Sequence, residues 1–527
     1  MSRTKRIDIR AIMAQHEDRA ARWKILVRTD PRRAVRALKI RGFTGESVEG
    51  DTLWDGPHII GHLKTESAQP QSAVWRRLVE AGIFDAICFC VRHSTNTAVV
   101  AEGGSQPSQE EMDAQVKETM FSGWFEPFQI ICNAVLGCAR DRVSPTEQRM
   151  LDDLRKNWSS MMERIWKQPM FCLEPREESM VERTMLAQVA IRLTYLDPAF
   201  IGVYLKHGDL TFTVCFRNWL HSTTTSDSQL NARLLMPALE PSVAPQHWKR
   251  YTDSHPPPAT EEVHARIILG ASKESGPTGR KRRPRQMAEA ILAATLKHLH
   301  FPKTSVDLQG LELQILDALY LQSKTTFTAL PPVLYQSTEL WAEVVRILRC
   351  AAGADTEEAK QTYCDVLKLF TIGLTERKPE YLNALVACWV TGGLFDALEE
   401  SIDLLLTIRD AVSSAIPKLT RGTQTLLRLQ FPRPLLVSKV APEQMGSRFR
   451  QASFMARVDG TGNLDTGNPV WREAAHEILV DISSNALRLD CSACVRRDCE
   501  KRVDAGSKVC CEKCTRVQYC SQSCLER

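Results

Sequence analysis

Apolar residues recur at helical spacing through most of the first 490 positions, most clearly in "KPEYLNALVACWVTGGLFDALEESIDLLLTIRDA". Pro379 suits a first helical turn, where its missing N–H costs nothing. Leu382, Leu385, Val386 and Trp389 then follow at i, i+3, i+4 and i+7, which lays one apolar face along a helix. Gly392-Gly393 ends that helix. Leu394 starts a second, expected to bury Leu398, Ile402, Leu405 and Leu406. The spacing therefore predicts two antiparallel helices joined by a glycine turn.

The pattern has an earlier copy. "LVEAGIFDAI" at 78–87 aligns with "WVTGGLFDAL" at 389–398, sharing Val, Gly, Phe, Asp and Ala, with Ile83 against Leu394. A looser copy, "YLKHGDLTFTV", puts Gly208 at the same turn. Helix, glycine, then a helix opening on a large apolar residue resembles the armadillo repeat. That resemblance implies an all-α, armadillo-like helical solenoid, since such units bury their apolar faces only by stacking. A generic helical bundle also uses this turn. Turn formers interrupt the pattern at 222–260 ("STTTSDSQ", "HPPPAT"), at 271–286 and near 460. The expected organisation is a first helical region at 1–245, a linker with a basic run at 246–286, a second helical region at 287–485, and a small C-terminal zinc-binding finger at 491–527.

Composition narrows the class without naming a chemistry. The chain has 527 residues, 43% apolar and 25% charged, with a formal net charge of +5, so charge alone does not call for nucleic acid. No stretch approaches the roughly 20 apolar residues of a membrane helix. The first forty residues mix Arg3, Lys5, Arg6, Arg10, Arg19 and Arg22 with Asp8, Glu17 and Asp18 and lack a secretory apolar core. An intracellular protein, nuclear or cytoplasmic, is expected. Nine of the 17 cysteines (Cys88, Cys90, Cys132, Cys138, Cys172, Cys215, Cys350, Cys364, Cys388) are scattered among apolar residues and read as small buried hydrophobes. In a reducing compartment the other eight, within 491–527, read as metal ligands and not as disulfides.

Catalytic patterns fail on inspection. His476-Glu477 opens like a zinc-protease helix, but the second histidine would fall at Val480. There is no GxSxG elbow and no phosphate-binding GxxxxGK[ST] loop. His93, His207, His298 and His300 have no partner that sequence identifies. Arg280, Lys281, Arg282, Arg283 and Arg285 form a basic run that must be solvated, as a charged loop or as a nuclear-import signal.

The terminal cysteines carry the strongest signal. Cys491-x2-Cys494 and Cys511-x2-Cys514 are pairs whose thiolates can clasp one zinc from a tight turn, and Cys520 and Cys524 follow. Four thiolates saturate a tetrahedral zinc and leave no position for water, so such a site is structural. The order Cys-x2-Cys, Cys-x2-Cys, x4-Tyr-Cys, x3-Cys resembles the MYND-type zinc finger. The resemblance implies two interleaved sites, with Cys491, Cys494, Cys520 and Cys524 in the first and Cys511 and Cys514 opening the second. It places a further histidine and cysteine beyond Arg527, so the expectation is a finger that the chain leaves incomplete. Cys499 and Cys510 are extra to the family pattern, and Leu525 stands where many members have glutamine.

The resemblance also implies a function, because MYND fingers bind short proline-containing peptides. The expectation is a non-enzymatic protein–protein interaction adaptor with structural Zn2+, other proteins as partners, and neither membrane nor nucleic acid. One alternative is a fragment of a MYND-containing SET-type lysine methyltransferase. That needs an Asn-His motif, and none of the nine asparagines precedes a histidine. The other is a nucleic-acid-binding zinc finger, for which eight Lys/Arg against five Asp/Glu in 491–527 is a small excess.

Overall fold

A computed structural model describes residues 9–40, 50–52, 55–93, 123–139, 143–272, 283–301, 305–354, 356–374, scattered positions from 381 to 404, and the pairs 509–510 and 518–519. Among these residues the chain is α-helical, apart from short 3-10 turns and one two-stranded ribbon. It divides into two compact units, Met1–Met287 and Ala288–Arg527.

The first unit begins with α1 (Ile9–Thr29), α2 (Pro31–Leu38), α3 (Gly56–Ser67), α4 (Ala73–Glu80) and α5 (Ile83–His93). It continues through α6 (Phe125–Gly137), α7 (Pro145–Lys167), α8 (Glu177–Leu196), α9 (Ala199–Leu205) and α10 (Thr211–Leu220). Then come α11 (Thr225–Leu239), α12 (Gln246–Ser254) and α13 (Thr260–Ser272). Local chemistry sets the helix starts. Ser144 and Glu147 form a reciprocal capping box at α7, with Pro145 in its first turn. Asp30 accepts the Arg33 N–H at α2, and Ser72 accepts that of Trp75 at α4.

Trp158 centres the core of this unit. It is fully buried, its indole N–H donates to Thr211 Oγ1 at 2.8 Å, and its ring packs against Phe128, Phe200 and Tyr204. Phe212 and Trp248 extend the aromatic column.

In the second unit, α14 (Pro284–Leu299), which opens just before the boundary, is followed by α15 (Val306–Thr326), α16 (Leu330–Tyr335), α17 (Thr338–Ala352), α18 (Glu357–Leu374) and α19 (Leu394–Glu400). Trp341, Phe370 and Trp389 form a closed aromatic triangle with centroids 5.1–5.5 Å apart. Leu385 and Trp389 are buried, as the periodicity predicts. Leu385→Ala should therefore cost about 2–5 kcal/mol, read as a shift in a urea unfolding curve. Leu398 falls within α19, while Ile402, Leu405 and Leu406, the rest of the expected inner face of the next helix, lie outside the described residues.

The three glycine turns share one backbone conformation. Gly82, Gly208 and Gly393 have φ of 87°, 89° and 75°; Gly82 and Gly393 directly precede α5 and α19, and two residues separate Gly208 from α10. A side chain there would crowd its own backbone, which is why glycine sits at all three. Nothing lies within 4 Å of a Cβ added at Gly82 or Gly208. Gly208→Ala should then lose only the conformational cost, about 1–2 kcal/mol, without disturbing any neighbour. Calorimetric unfolding of the variant checks this.

The sequence reading differs from the structure at 222–260. Those residues carry α11 and α12, and the stretch expected as linker, 246–286, carries α12 and α13 before residues 273–282, which are outside the described set. The Ser/Thr cluster that looks like a loop is a helix start, with Thr224 Oγ1 accepting the Asp227 N–H. Of the basic run, Arg283 and Arg285 are described, and both are exposed at the start of α14.

Candidate metal centre

Two short strands are described within the cysteine-rich terminus. β1 (Val509–Cys510) pairs antiparallel with β2 (Gln518–Tyr519), in the register Val509↔Tyr519 and Cys510↔Gln518. The sequence places Cys511 directly after β1, Cys514 in the connection 511–517, and Cys520 directly after β2. Backbone pairing thus draws together the two segments from which four of the six candidate ligands follow: Cys511, Cys514, Cys520 and Cys524. Those four, with Cys491 and Cys494, lie outside the described residues. The ribbon is not legible in the sequence because two residues per strand give no alternation to read. Val509 and Tyr519, a β-branched and an aromatic residue, were the available signal.

The donor chemistry fits zinc. Thiolates are its preferred soft ligands, and the sequence supplies two of them as a Cys-x2-Cys pair between the two strands. A site closed by four such ligands contributes folding free energy in a segment this short.

Among the described residues no cluster of three or more His, Cys, Asp or Glu side chains is placed to hold a metal ion. Cys88, Cys90, Cys132, Cys138, Cys172, Cys215 and Cys388 are buried, Cys364 is half-buried and Cys350 exposed. Burial pushes the Cys132 and Cys364 thiols up to about 11 and those of Cys138 and Cys215 to about 12. These thiols stay protonated near neutrality, which makes them poor nucleophiles.

Two histidines without an evident sequence partner have one in the fold. His298 Nδ1 lies 3.1 Å from Glu312 Oε2, both buried, and His300 Nε2 lies 3.4 Å from Glu343 Oε2.

Charged pairs tie the first unit together. Arg22 and Arg33 meet the buried Asp51, and Arg22 and the Trp23 indole N–H reach Asp55 at 3.0 and 2.8 Å. Burial pushes the Asp55 carboxyl up, but the Thr52 N–H, Trp23 and Arg22 outweigh it and leave its pKa below the ordinary value. No described helix is long and apolar enough to cross a membrane.

No protein-family model matches the chain, and neither does any curated protein or solved structure compared with it.

Proposed function

We propose that this protein is a non-enzymatic adaptor whose helical body presents one binding surface and whose cysteine-rich terminus, a MYND-type finger folded around structural zinc, presents another. The finger's ligands are short proline-containing peptides of partner proteins. The observation that carries this reading is the pairing of Val509–Cys510 with Gln518–Tyr519 around Cys511-x2-Cys514. A ribbon of two residues per strand is far below the size that holds itself together in water, so a cross-link such as a metal is what its stability calls for.

The body reads as an armadillo-like stack. Support for this comes from the left-handed glycine turns at Gly82 and Gly393, each directly before a helix, and at Gly208, followed after two residues by another. Seven of the nine scattered cysteines are buried, as structural thiols of a scaffold would be, while Cys364 is half-buried and Cys350 exposed.

An array of short proline-containing peptides, probed with the zinc-loaded full-length chain, tests the finger. The expected result is binding to a subset of peptides that is lost after chelation while the helical circular dichroism stays. Binding that survives complete removal of zinc, or no binding to any peptide, would sink the reading.

A further inference from the structure

The triproline segment between α12 and α13 has no part in the finger reading. His255 closes α12, its N–H donating to Tyr251 O at 2.9 Å, and Ala259 O opens α13 by accepting the Val263 N–H at 3.1 Å. Both helices are anchored below, through Trp248 in α12 and Val263, Ile267 and Ile268 in α13. Tyr251 is further pinned over Gly202, where an added Cβ would meet its hydroxyl oxygen at 2.1 Å. The ends of Pro256-Pro257-Pro258 are therefore fixed.

Between those ends the backbone has little choice. Each ring locks φ near −65°, and each residue preceding a proline is driven out of the helical region. His255, the first of these, is extended at φ −134°, ψ 90°. Pro256 and Pro257 each precede a proline, so both are held toward polyproline II. They carry no N–H, belong to no helix or strand, and are exposed, in a run of exposed residues from Asp253 to Pro257.

A core connection would bury such rings. This one displays two of them beside the stacked rings of Tyr251 and His255, whose centroids are 4.5 Å apart with 12° between planes. Exposed acids flank it, Asp253 before and Glu261 and Glu262 after.

We infer that Pro256–Pro258 is a docking segment for a partner domain with an aromatic-lined, polyproline-II-reading groove and a basic rim. The affinity argument is entropic: a ligand already held extended at both ends loses little freedom on binding, and proline rings fill slots between aromatic side chains. The acids on either side supply charge complementarity and favour a basic rim over an acidic one.

The test titrates the full-length chain against three purified readers of this class, an SH3, a WW and an EVH1 domain, with a polyproline peptide as competitor. At least one domain should bind and be displaced by the peptide. Pro256→Ala/Pro257→Ala should weaken that binding at least about tenfold. The variant should keep the melting curve of the parent, because both rings are exposed. Asp253→Lys/Glu261→Lys, which leaves the prolines in place, should also weaken it. Binding by none of the three domains, or an affinity unchanged in both variants, overturns the proposal. Self-association of the parent chain that disappears in the proline variant overturns it too, by assigning the segment to a second copy.

Discussion

Arg183→Met should destabilise the first unit by about 3–5 kcal/mol, one of the largest single-site losses available in it. The Arg183 and Asp227 side chains are both fully buried, joined at 2.7–2.8 Å between α8 and α11. Arg183 also donates to Cys172 O at 2.8 Å and Thr223 Oγ1 at 3.1 Å, so one guanidinium holds a helix, a 3-10 turn and a loop. Methionine fills comparable space but leaves the carboxylate with uncharged partners, the Thr223 N–H, the Asn231 amide and the Ser222 hydroxyl. An uncompensated buried charge is the costly outcome; losing both members is milder. The double variant Arg183→Met/Asp227→Leu should accordingly recover part of the loss, with Cys172 O and the Thr223 N–H accounting for the remainder.

The pH dependence gives the same argument a sign. Burial already pushes the Asp227 carboxyl up, and Arg183 is the leading influence that pulls it back. Without the arginine its folded-state pKa rises further above the unfolded value. A raised carboxyl favours the folded state below that unfolded value and loses the advantage as pH climbs through the folded one. Arg183→Met should therefore lose stability relative to the parent as pH rises from 4 toward neutrality, and the double variant should not. Urea midpoints at several pH values measure this; a pH-independent difference would mean that Asp227 does not carry the cost.

How much of this fold the sequence disclosed depended on the range of the interactions. Periodicity is local, so the helices around Leu385 and Trp389 and the turns at Gly82, Gly208 and Gly393 were legible from a few neighbouring residues. Thr224 is ambiguous in the sequence because a capping hydroxyl and a loop hydroxyl look alike until the following helix is known. α12 has no apolar face for the sequence to show, since Trp248 is its one buried side chain. The Arg183–Asp227 bond joins residues 44 apart and the His298–Glu312 contact residues 14 apart, and no pattern along a chain announces either. At the terminus the reverse holds. The cysteine spacing is plain in the sequence, while the ribbon that brackets two of the six candidate ligands is visible only from the backbone.

Cys520→Ala should release the zinc of the finger and unfold it while leaving the helical body intact. In the proposed site Cys491 and Cys494 lie on one side of the segment and Cys520 and Cys524 on the other, so one ion ties its two ends together. Loss of a single thiolate from four leaves a position open to water, and the metal-binding free energy that folds the segment falls with it. The described helices bury an extensive apolar core of their own residues, up to Ala397 in sequence, which is the ground for expecting the body to stand without the finger. Helical ellipticity and the main thermal transition should then match those of the parent. Cys511→Ala should have a much smaller effect, because Cys511 and Cys514 supply two thiolates of a second site and two ligands plus water hold zinc far less firmly than four. The 527-residue chain should accordingly retain about one zinc per molecule after dialysis against a weak chelator, as elemental analysis would show. Two tightly held ions would mean that Cys499 and Cys510 complete the second shell, and Cys511→Ala should then cost as much metal as Cys520→Ala. A chain that retains no zinc, with Cys520→Ala indistinguishable from the parent, would remove the finger from this protein altogether.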